Sequence, residues 1–384
     1  MHTLQDLFYI FNNTLINMEL EPQVSDTNQD MIICHNCGAK LTFAPGTLSL
    51  KCEYCGALND IKIDEEAKAE AVKENDYLTA LENLSDDQLE EVHTVKCNCC
   101  GAETTFDSNV VSSKCDFCGS PIAVNQRSTA KVIKPKAILP FVVQQRDGHD
   151  LFKKWINGLW FAPGDLKKMA NEQQISGVYL PYWTYDANTI TDYTGRRGED
   201  YYTKENYTDS EGHVKTRDVK HTNWYRASGR VRNSFDDIFV VGSKTLPYYY
   251  LDNLEPWNLN DLVPYDEKFL TGFKTETYSI DLKEGFQDAQ KKMQDTIDES
   301  IKKDIGGDHQ EIATKSIQYN DITYKHILLP VWLSAYRYNE KAYRFLINGQ
   351  SGKVQGERPY SALKIAGFIT AIVAVITLLI ILLT

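Results

Sequence analysis

The sequence predicts an α+β protein built in three parts, and three observations carry that prediction. Four CxxCG knuckles stand in the first third of the chain, at Cys34/Cys37, Cys52/Cys55, Cys97/Cys100 and Cys115/Cys118. Strand-like and helix-like patterns then alternate, with a loose internal repeat, over residues 132–360. Finally, the run Ile365–Leu383 is apolar almost throughout.

The knuckles fall into two matched units. The run from Cys37 to Cys52 equals that from Cys100 to Cys115. CGAKLTF (37–43) answers CGAETTF (100–106), and SLKCEYCGA answers SSKCDFCGS, so Phe43 matches Phe106 and Lys51 matches Lys114. Self-similarity of this kind marks duplication of one module. A tetrahedral zinc ion needs four soft thiolates, and each CxxC turn delivers two. Glycine after each knuckle supplies the unusual dihedrals of the turn and lets backbone N–H groups approach sulfur. A redox CxxC would need one pair beside a βαβ unit, not four in register. The pattern therefore predicts two structural Zn2+ ions in two β zinc ribbons. Cys34, Cys37, Cys52 and Cys55 would hold one within residues 31–63, and Cys97, Cys100, Cys115 and Cys118 the other within residues 94–126. With thiolate at all four positions, none is open to activate water, which argues against a catalytic metal. Each ribbon is too short for a core of its own, so metal should supply its stability. Chelation is accordingly expected to unfold residues 31–125 and spare the later domain. Cys99, the odd thiol, reads as a bystander that could compete with Cys97, and His35 as exposed.

Between the ribbons, residues 64–93 are rich in Ala, Glu, Asp and Leu and read as an acidic helical linker. Ser85 and Gln88 have capping-box spacing, which predicts a second helix starting there. Residues 132–360 read as a duplicated mixed α/β domain. One copy runs from Leu139-Pro140-Phe141 through a helical stretch, Leu151–Trp160, to Leu180-Pro181-Tyr182-Trp183. The other runs from Val263-Pro264-Tyr265 through a long helix to Leu329-Pro330-Val331-Trp332. The prolines are expected at strand entries and the tryptophans in the core. The long helix is predicted over Leu282–Ile305, with Asp281 as cap and Gly306-Gly307 as stop. Phe286, Met293, Ile297 and Ile301 would form its buried stripe. Residues 191–233 form a polar, tyrosine-rich insertion that reads as a long hairpin turning at Asp209–Gly212.

At about 1.5 Å per residue the Ile365–Leu383 run reaches roughly 28 Å, close to the ~30 Å hydrocarbon core. It predicts one transmembrane helix over residues 365–383. Arg358 and Lys364 precede it and no basic residue follows, so the positive-inside rule places the bulk of the chain in the cytoplasm, in a single-pass, tail-anchored topology at the cell membrane. The amino-terminal stretch lacks the basic region and cleavage site of a signal peptide, and reduced cysteines fit the cytoplasm. Gly367, Thr370, Ala371, Ala374 and Thr377 recur at spacings of three and four, a stripe suited to helix–helix oligomerisation.

The net charge of −12 over 384 residues offers no basic footprint for nucleic acid. Each zinc–thiolate centre would add a formal charge of about −2. The basic residues of the hairpin, Arg196, Arg197, Lys215, Arg217, Lys220, Arg226, Arg230 and Arg232, are nearly cancelled by neighbouring acids. No HExxH, P-loop, GxSxG or strand-linked GxGxxG is present, and Val241–Thr245 lacks the first glycine of a Walker pattern. An enzyme is therefore not expected.

The paired CxxCG…KCxxCG ribbons, the stretch Trp155-Ile156-Asn157-Gly158-Leu159-Trp160-Phe161-Ala162-Pro163 and the terminal apolar helix together resemble a bacterial family. Its members are loosely described as TFIIB-type zinc-ribbon, primosomal-protein-N′-like or replisome-organiser-like proteins. The resemblance covers the chain from Ile32 onward and excludes the amino-terminal extension, residues 1–30. It implies association with envelope-stress systems containing phage-shock-protein-A-like and flotillin-like (SPFH) proteins. The expected function is thus a membrane-anchored, cytoplasm-facing zinc-ribbon adaptor that recruits protein partners. The competing reading is a membrane-tethered nucleic-acid-binding protein of replication or transcription.

Overall fold

The computed structural model describes residues 32–105, 112–123, 127–164, 166, 175–338 and 341–383. The extension 1–30 and Phe106 lie outside them. Three very long strands form the spine: β11 (Ser176–Thr208), β12 (Val214–Val241) and β15 (His309–Tyr338). They lie antiparallel in the order β12-β11-β15. Short strands complete this sheet. β4 (Asn75–Asp76), β10 (Ala137–Ile138) and β16 (Lys341–Asn348) line the outer edge of β15. β17 (Val354–Gly356) follows β16, β13 (Val263–Pro264) follows β10, and β14 (Lys274–Thr275) pairs with β11.

The internal repeat has a geometric meaning. In the β11–β15 ladder Leu180 stands opposite Leu329, its own counterpart in the repeat, and Ile138 stands opposite Val263. The two copies therefore face each other across a local pseudo-twofold axis. The prolines do not sit at strand entries as expected. Pro181 lies inside β11 where its outer partner changes from β14 to β12. Pro330 lies inside β15 where its outer partner changes from β10 to β16. Proline lacks an N–H, so a position between two ladder partners is where a strand interior tolerates it. Each proline carbonyl accepts from a glycine N–H, Gly242 and Gly349, at 2.8 Å.

Trp183 and Trp332 are buried, as expected, and donate their indole N–H groups to the carbonyls of Ile280 and Val143 at 2.9 and 2.8 Å. Two short helices, α1 (Glu65–Ala71) and α2 (Tyr77–Glu82), occupy the acidic linker. Ser85 and Gln88 do form a capping box, but it opens one 3-10 turn rather than a helix. The next residues are drawn instead into β5 (Leu89–Lys96), which pairs with β9 (Arg127–Ile133). Cross-strand pairing outweighs the local helix signal there. Helix α3 (Gln145–Gly158) precedes β11 in the chain, and a short helix α4 (Tyr248–Asp252) follows β12.

The long helix α5 spans Leu282–Ile305, capped where Asp281 accepts from the Glu284 N–H at 2.7 Å and stopped at Gly306 and Gly307, which take φ of 66° and 75°. Phe286, Met293, Ile297 and Ile301 pack against Trp183, Tyr185, Tyr193 and Phe235 of the spine. Each such side chain stabilises by roughly 1.5–3 kcal/mol on burial. Gly285 permits the approach: a Cβ there would stand 2.4 Å from the Tyr185 hydroxyl, which donates to the Leu282 carbonyl. Beyond this support, β11 and β12 continue as a free two-stranded arm from Glu199 opposite Asn223 to Thr208 opposite Val214, roughly 30 Å at strand rise. The expected hairpin is thus the tip of strands far longer than the pattern implied.

His326 is 4% exposed, packs at a tilt against Trp183 with centroids 4.6 Å apart and places Nδ1 2.8 Å from the Ile133 carbonyl, so the neutral ring donates there. Burial pushes its pKa from 6.5 down to about 4. The unfolded chain therefore binds a proton in the window between those values and the folded one does not. Stability is full above about 6.5 and falls as pH drops towards 4, by roughly 3 kcal/mol. Urea unfolding in detergent between pH 7 and pH 5 should show a loss of stability that His326→Gln reduces; an identical slope in both proteins would refute this origin.

Candidate metal centres

Each cysteine knuckle has the same backbone. The N–H of the following glycine donates to the carbonyl of the first cysteine, at 2.8–2.9 Å in all four: Gly38 to Cys34, Gly56 to Cys52, Gly101 to Cys97 and Gly119 to Cys115. The first cysteine N–H in turn reaches the carbonyl of Ala39, Ala57, Ala102 or Ser120 at 2.8–2.9 Å. Closing this ring requires positive φ, which the four glycines adopt at 72°, 73°, 81° and 71°. Strands then aim the knuckles at one another. β1 (Leu41–Phe43), β2 (Ser49–Cys52) and β3 (Leu58–Asp60) form the first ribbon. β5 with β6 (Glu103–Thr105), and β7 (Ser112–Lys114) with β8 (Pro121–Ala123), form the second.

The structure brings the sequence-predicted cysteines together in two groups. The sulfurs of Cys34 and Cys55 are 3.6 Å apart, and those of Cys37 and Cys52 are 3.5 Å apart. In the second group Cys97 and Cys118 are 3.7 Å apart, and Cys100 and Cys115 are 3.6 Å apart. Within each group all four sulfurs lie within 4.8 Å of one another. A zinc–sulfur bond of about 2.3 Å gives a tetrahedron with edges of about 3.8 Å, whereas a disulfide would bring two sulfurs to about 2.05 Å. The donor set and spacing fit a tetrahedral thiophilic ion, and each group can hold one. Cys99 is exposed and His35 is exposed, and neither belongs to a group.

The electrostatics agree. The Cys55 N–H, and behind it that of Tyr54, pull the Cys52 thiol down to about 6. Cys100 is drawn down to about 5, chiefly by its hydrogen bond with Cys115, and the same contact drives Cys115 strongly upward. In Cys37/Cys52, as in Cys100/Cys115, one thiol is pulled down and its partner pushed up, because two bare thiolates at this distance repel. A cation among the four removes that conflict and lets all of them ionise. Two carboxylate groupings could also gather around an ion, Asp209/Glu211/His213 and Glu74/Asp186/Asp236. Their members already pair with cations of the chain: Asp209 with Lys215 at 2.9 Å, and Glu74 with the buried Lys325 at 2.8 Å.

Sequence reasoning missed how the ribbons are seated. Leu41, Phe43, Leu50, Cys34 and Cys52 share one hydrophobic cluster with Phe141, Phe152, Phe269 and Trp332. Val95, Cys97, Cys115, Phe117 and Cys118 share another with Leu180, Tyr182, Val331 and Leu346. One segment, Phe269–Thr277, receives both. The Phe43 N–H donates to the Thr271 carbonyl at 3.0 Å, and Thr277 N–H donates to the Glu103 carbonyl at 3.0 Å. Lys274 pairs with Asp116 at 2.6 Å. No local pattern marks Lys274 or Thr271, since their partners lie more than a hundred residues away in sequence. The spine thus supplies the core that each ribbon lacks.

Helix α6 (Ala362–Leu383) is the remaining predicted feature. Its span Ala362–Leu382 has a mean hydropathy of 3.0 and is not buried, so it is long and apolar enough to cross a membrane. Thr370 and Thr377 donate their hydroxyls to the carbonyls of Ala366 and Val373 at 2.9 and 2.8 Å, which satisfies both groups within the helix.

Over 342 residues the chain is 26% identical to a protein of Bacillus subtilis (strain 168) described as "Uncharacterized protein YdjG", the match covering 88% of this chain and 93% of that one. No family profile matches the chain, and no solved structure matches it.

Because the ribbons share cores with the spine, metal loss should not leave the later domain intact. Cys37 and Cys55 are exposed, whereas Cys97, Cys115 and Cys118 are buried. A chelator should therefore strip the first centre quickly and the second slowly, with far-ultraviolet circular dichroism of the sheet falling as the second ion leaves. Release of both equivalents in one phase, or a sheet signal unaffected at full release, would contradict this arrangement.

Proposed function

We propose that this protein is a membrane-anchored zinc-ribbon adaptor, with Zn2+ in both thiolate groups and α6 as a single-pass anchor in the cell membrane. Its role is to hold protein partners near the bilayer, and no reaction is assigned to it. The observation that supports this most is the all-thiolate donor set of both groups, each rooted in a core shared with the sheet through Cys34 and Cys52 in one and Cys97, Cys115 and Cys118 in the other, so an ion there would serve folding rather than chemistry. Arg358 just before α6 and Lys364 in its first turn favour a body on the cytoplasmic side. The face of α6 carrying Gly367, Thr370, Ala371 and Ala374 suits pairing with another helix.

The free arm is the docking element of this reading. It exposes Tyr201, Tyr202 and Tyr207 on a backbone fixed by its own ladder, with Trp224 and Tyr225 exposed just below its base. Aromatic side chains of this kind give large contact area at low entropic cost. Charge favours protein over nucleic acid. In the arm Lys220 pairs with Asp200 at 2.6 Å, Lys215 with Asp209 at 2.9 Å and Arg217 with Glu205 at 3.5 Å, and below its base Arg196 pairs with Glu311 and Arg230 with Asp192 at 2.6 Å. Few of the arm's cations are left to release counterions from a phosphate backbone. Partners akin to phage-shock-protein-A-like and SPFH proteins are proposed on the family resemblance.

The test replaces residues 199–223 with Asn-Gly, a two-residue turn that closes a hairpin without the arm. Affinity purification from native membranes should then lose such partners while zinc content and membrane retention stay at wild-type levels. Full recovery of the partners would remove the arm from the reading. Binding of the intact protein to DNA or RNA that weakens steeply with salt would favour the nucleic-acid alternative.

A further inference from the structure

We propose that the loop Leu159–Pro163 is a second membrane contact, with Trp160 and Phe161 seated among lipid headgroups beside α6. The proposal rests on α6 being the anchor and adds how the body is held against the bilayer. Trp160 is 73% exposed, while its neighbours Leu159 and Ala162 are buried at 5% and 2%. The loop is therefore fixed from within and turns one large aromatic ring outward.

The loop is also tied to the first turns of α6. Trp160 and Phe161 rings stack at 6.1 Å, and both touch Phe368 on the helix, at 6.2 and 5.3 Å. The Ser361 N–H donates to the Phe161 carbonyl at 2.8 Å. The Lys364 ammonium donates to the carbonyls of Ala162 and Trp160 at 2.7 and 3.3 Å. Thus the anchor helix cannot enter the bilayer without carrying this loop to its surface.

Depth follows from helix geometry. Residues after Lys364 fill the ~30 Å hydrocarbon layer, so the Lys364 charge falls at its boundary. Phe368 lies four residues further, about 6 Å deeper. Trp160 touches Phe368, and its carbonyl is held by Lys364, which places the ring across the boundary zone. Tryptophan and tyrosine concentrate there because their rings are apolar and their tips polar. Tyr360 is 58% exposed at the same end of the helix, with the Arg358 guanidinium over its ring at 5.3 Å, positioned for lipid phosphate. What separates this indole from other exposed aromatic rings of the chain is its contact with the apolar helix α6, which a headgroup layer accounts for.

The experiment uses the full chain in phosphatidylcholine/phosphatidylglycerol vesicles, with and without bromine on acyl carbons near the headgroup. The chain has 6 tryptophans, so Trp160 emission is taken as the difference between wild type and Trp160→Phe, a swap that keeps an apolar ring. The expected result is a blue-shifted Trp160 component reduced roughly twofold by bromine. A red, unquenched component in protein that resists alkaline carbonate extraction overturns the proposal and leaves the anchor standing. Protein that washes off in carbonate overturns the anchor, and the loop contact with it.

Discussion

Four sulfur atoms held 3.5–3.7 Å apart in pairs cannot all carry negative charge unless a cation stands among them. The rest of the molecule is organised around that constraint, twice. The knuckles aim backbone N–H groups at sulfur, but such dipoles only offset part of the repulsion. An ion converts each tetrad from a site of conflict into a cross-link between turns that are otherwise held by short β ladders. Both tetrads are rooted in the hydrophobic clusters that carry the central sheet, and both ribbons lean on the same segment, Phe269–Thr277. A metal ion in each tetrad and the sheet would therefore stabilise one another, and the ribbons are not appended modules.

The spine explains the placement of everything else. Two similar segments pair antiparallel at Leu180 and Leu329, and each carries a proline where its outer partner changes. That arrangement frees the edges for the short strands that attach α1, α2 and the ribbons. Farther along, α5 covers β11, β12 and β15, and beyond its Gly306-Gly307 stop β11 and β12 continue as the arm. A two-stranded ribbon exposes both faces, which suits aromatic and ion-paired side chains and excludes a core. The apolar helix α6 leaves the opposite portion of the chain, strapped by Lys364 and Ser361 to the residues that follow α3. Its attachment point is thereby part of the folded body and not a loose tether.

Where sequence reading worked, the signal was local or strictly periodic. Asp281, Glu284 and the Gly306-Gly307 stop delimit α5 because caps satisfy groups within one turn. The knuckle glycines are legible because a positive φ admits few other residues. Ser85 and Gln88 also gave a true local signal, yet Leu89–Lys96 became a strand because pairing with Arg127–Ile133 outweighed it. The prolines misled for a similar reason: a strand entry and a change of partner both lack a ladder acceptor, and only the sheet tells them apart.

The sequence by itself determined which eight cysteines could meet, where the long helix begins and ends, and which segment is apolar enough for lipid. Each depends on spacing within a turn, a knuckle or a helix, and such spacing is written directly in residue order. Only the tertiary structure decided that the ribbons share the core of the spine, that Lys274 meets Asp116, and that Trp160 lies against Phe368. Those contacts join residues far apart in the chain. Their energy comes from apolar area and charge paired after folding, and neither quantity has a local signature.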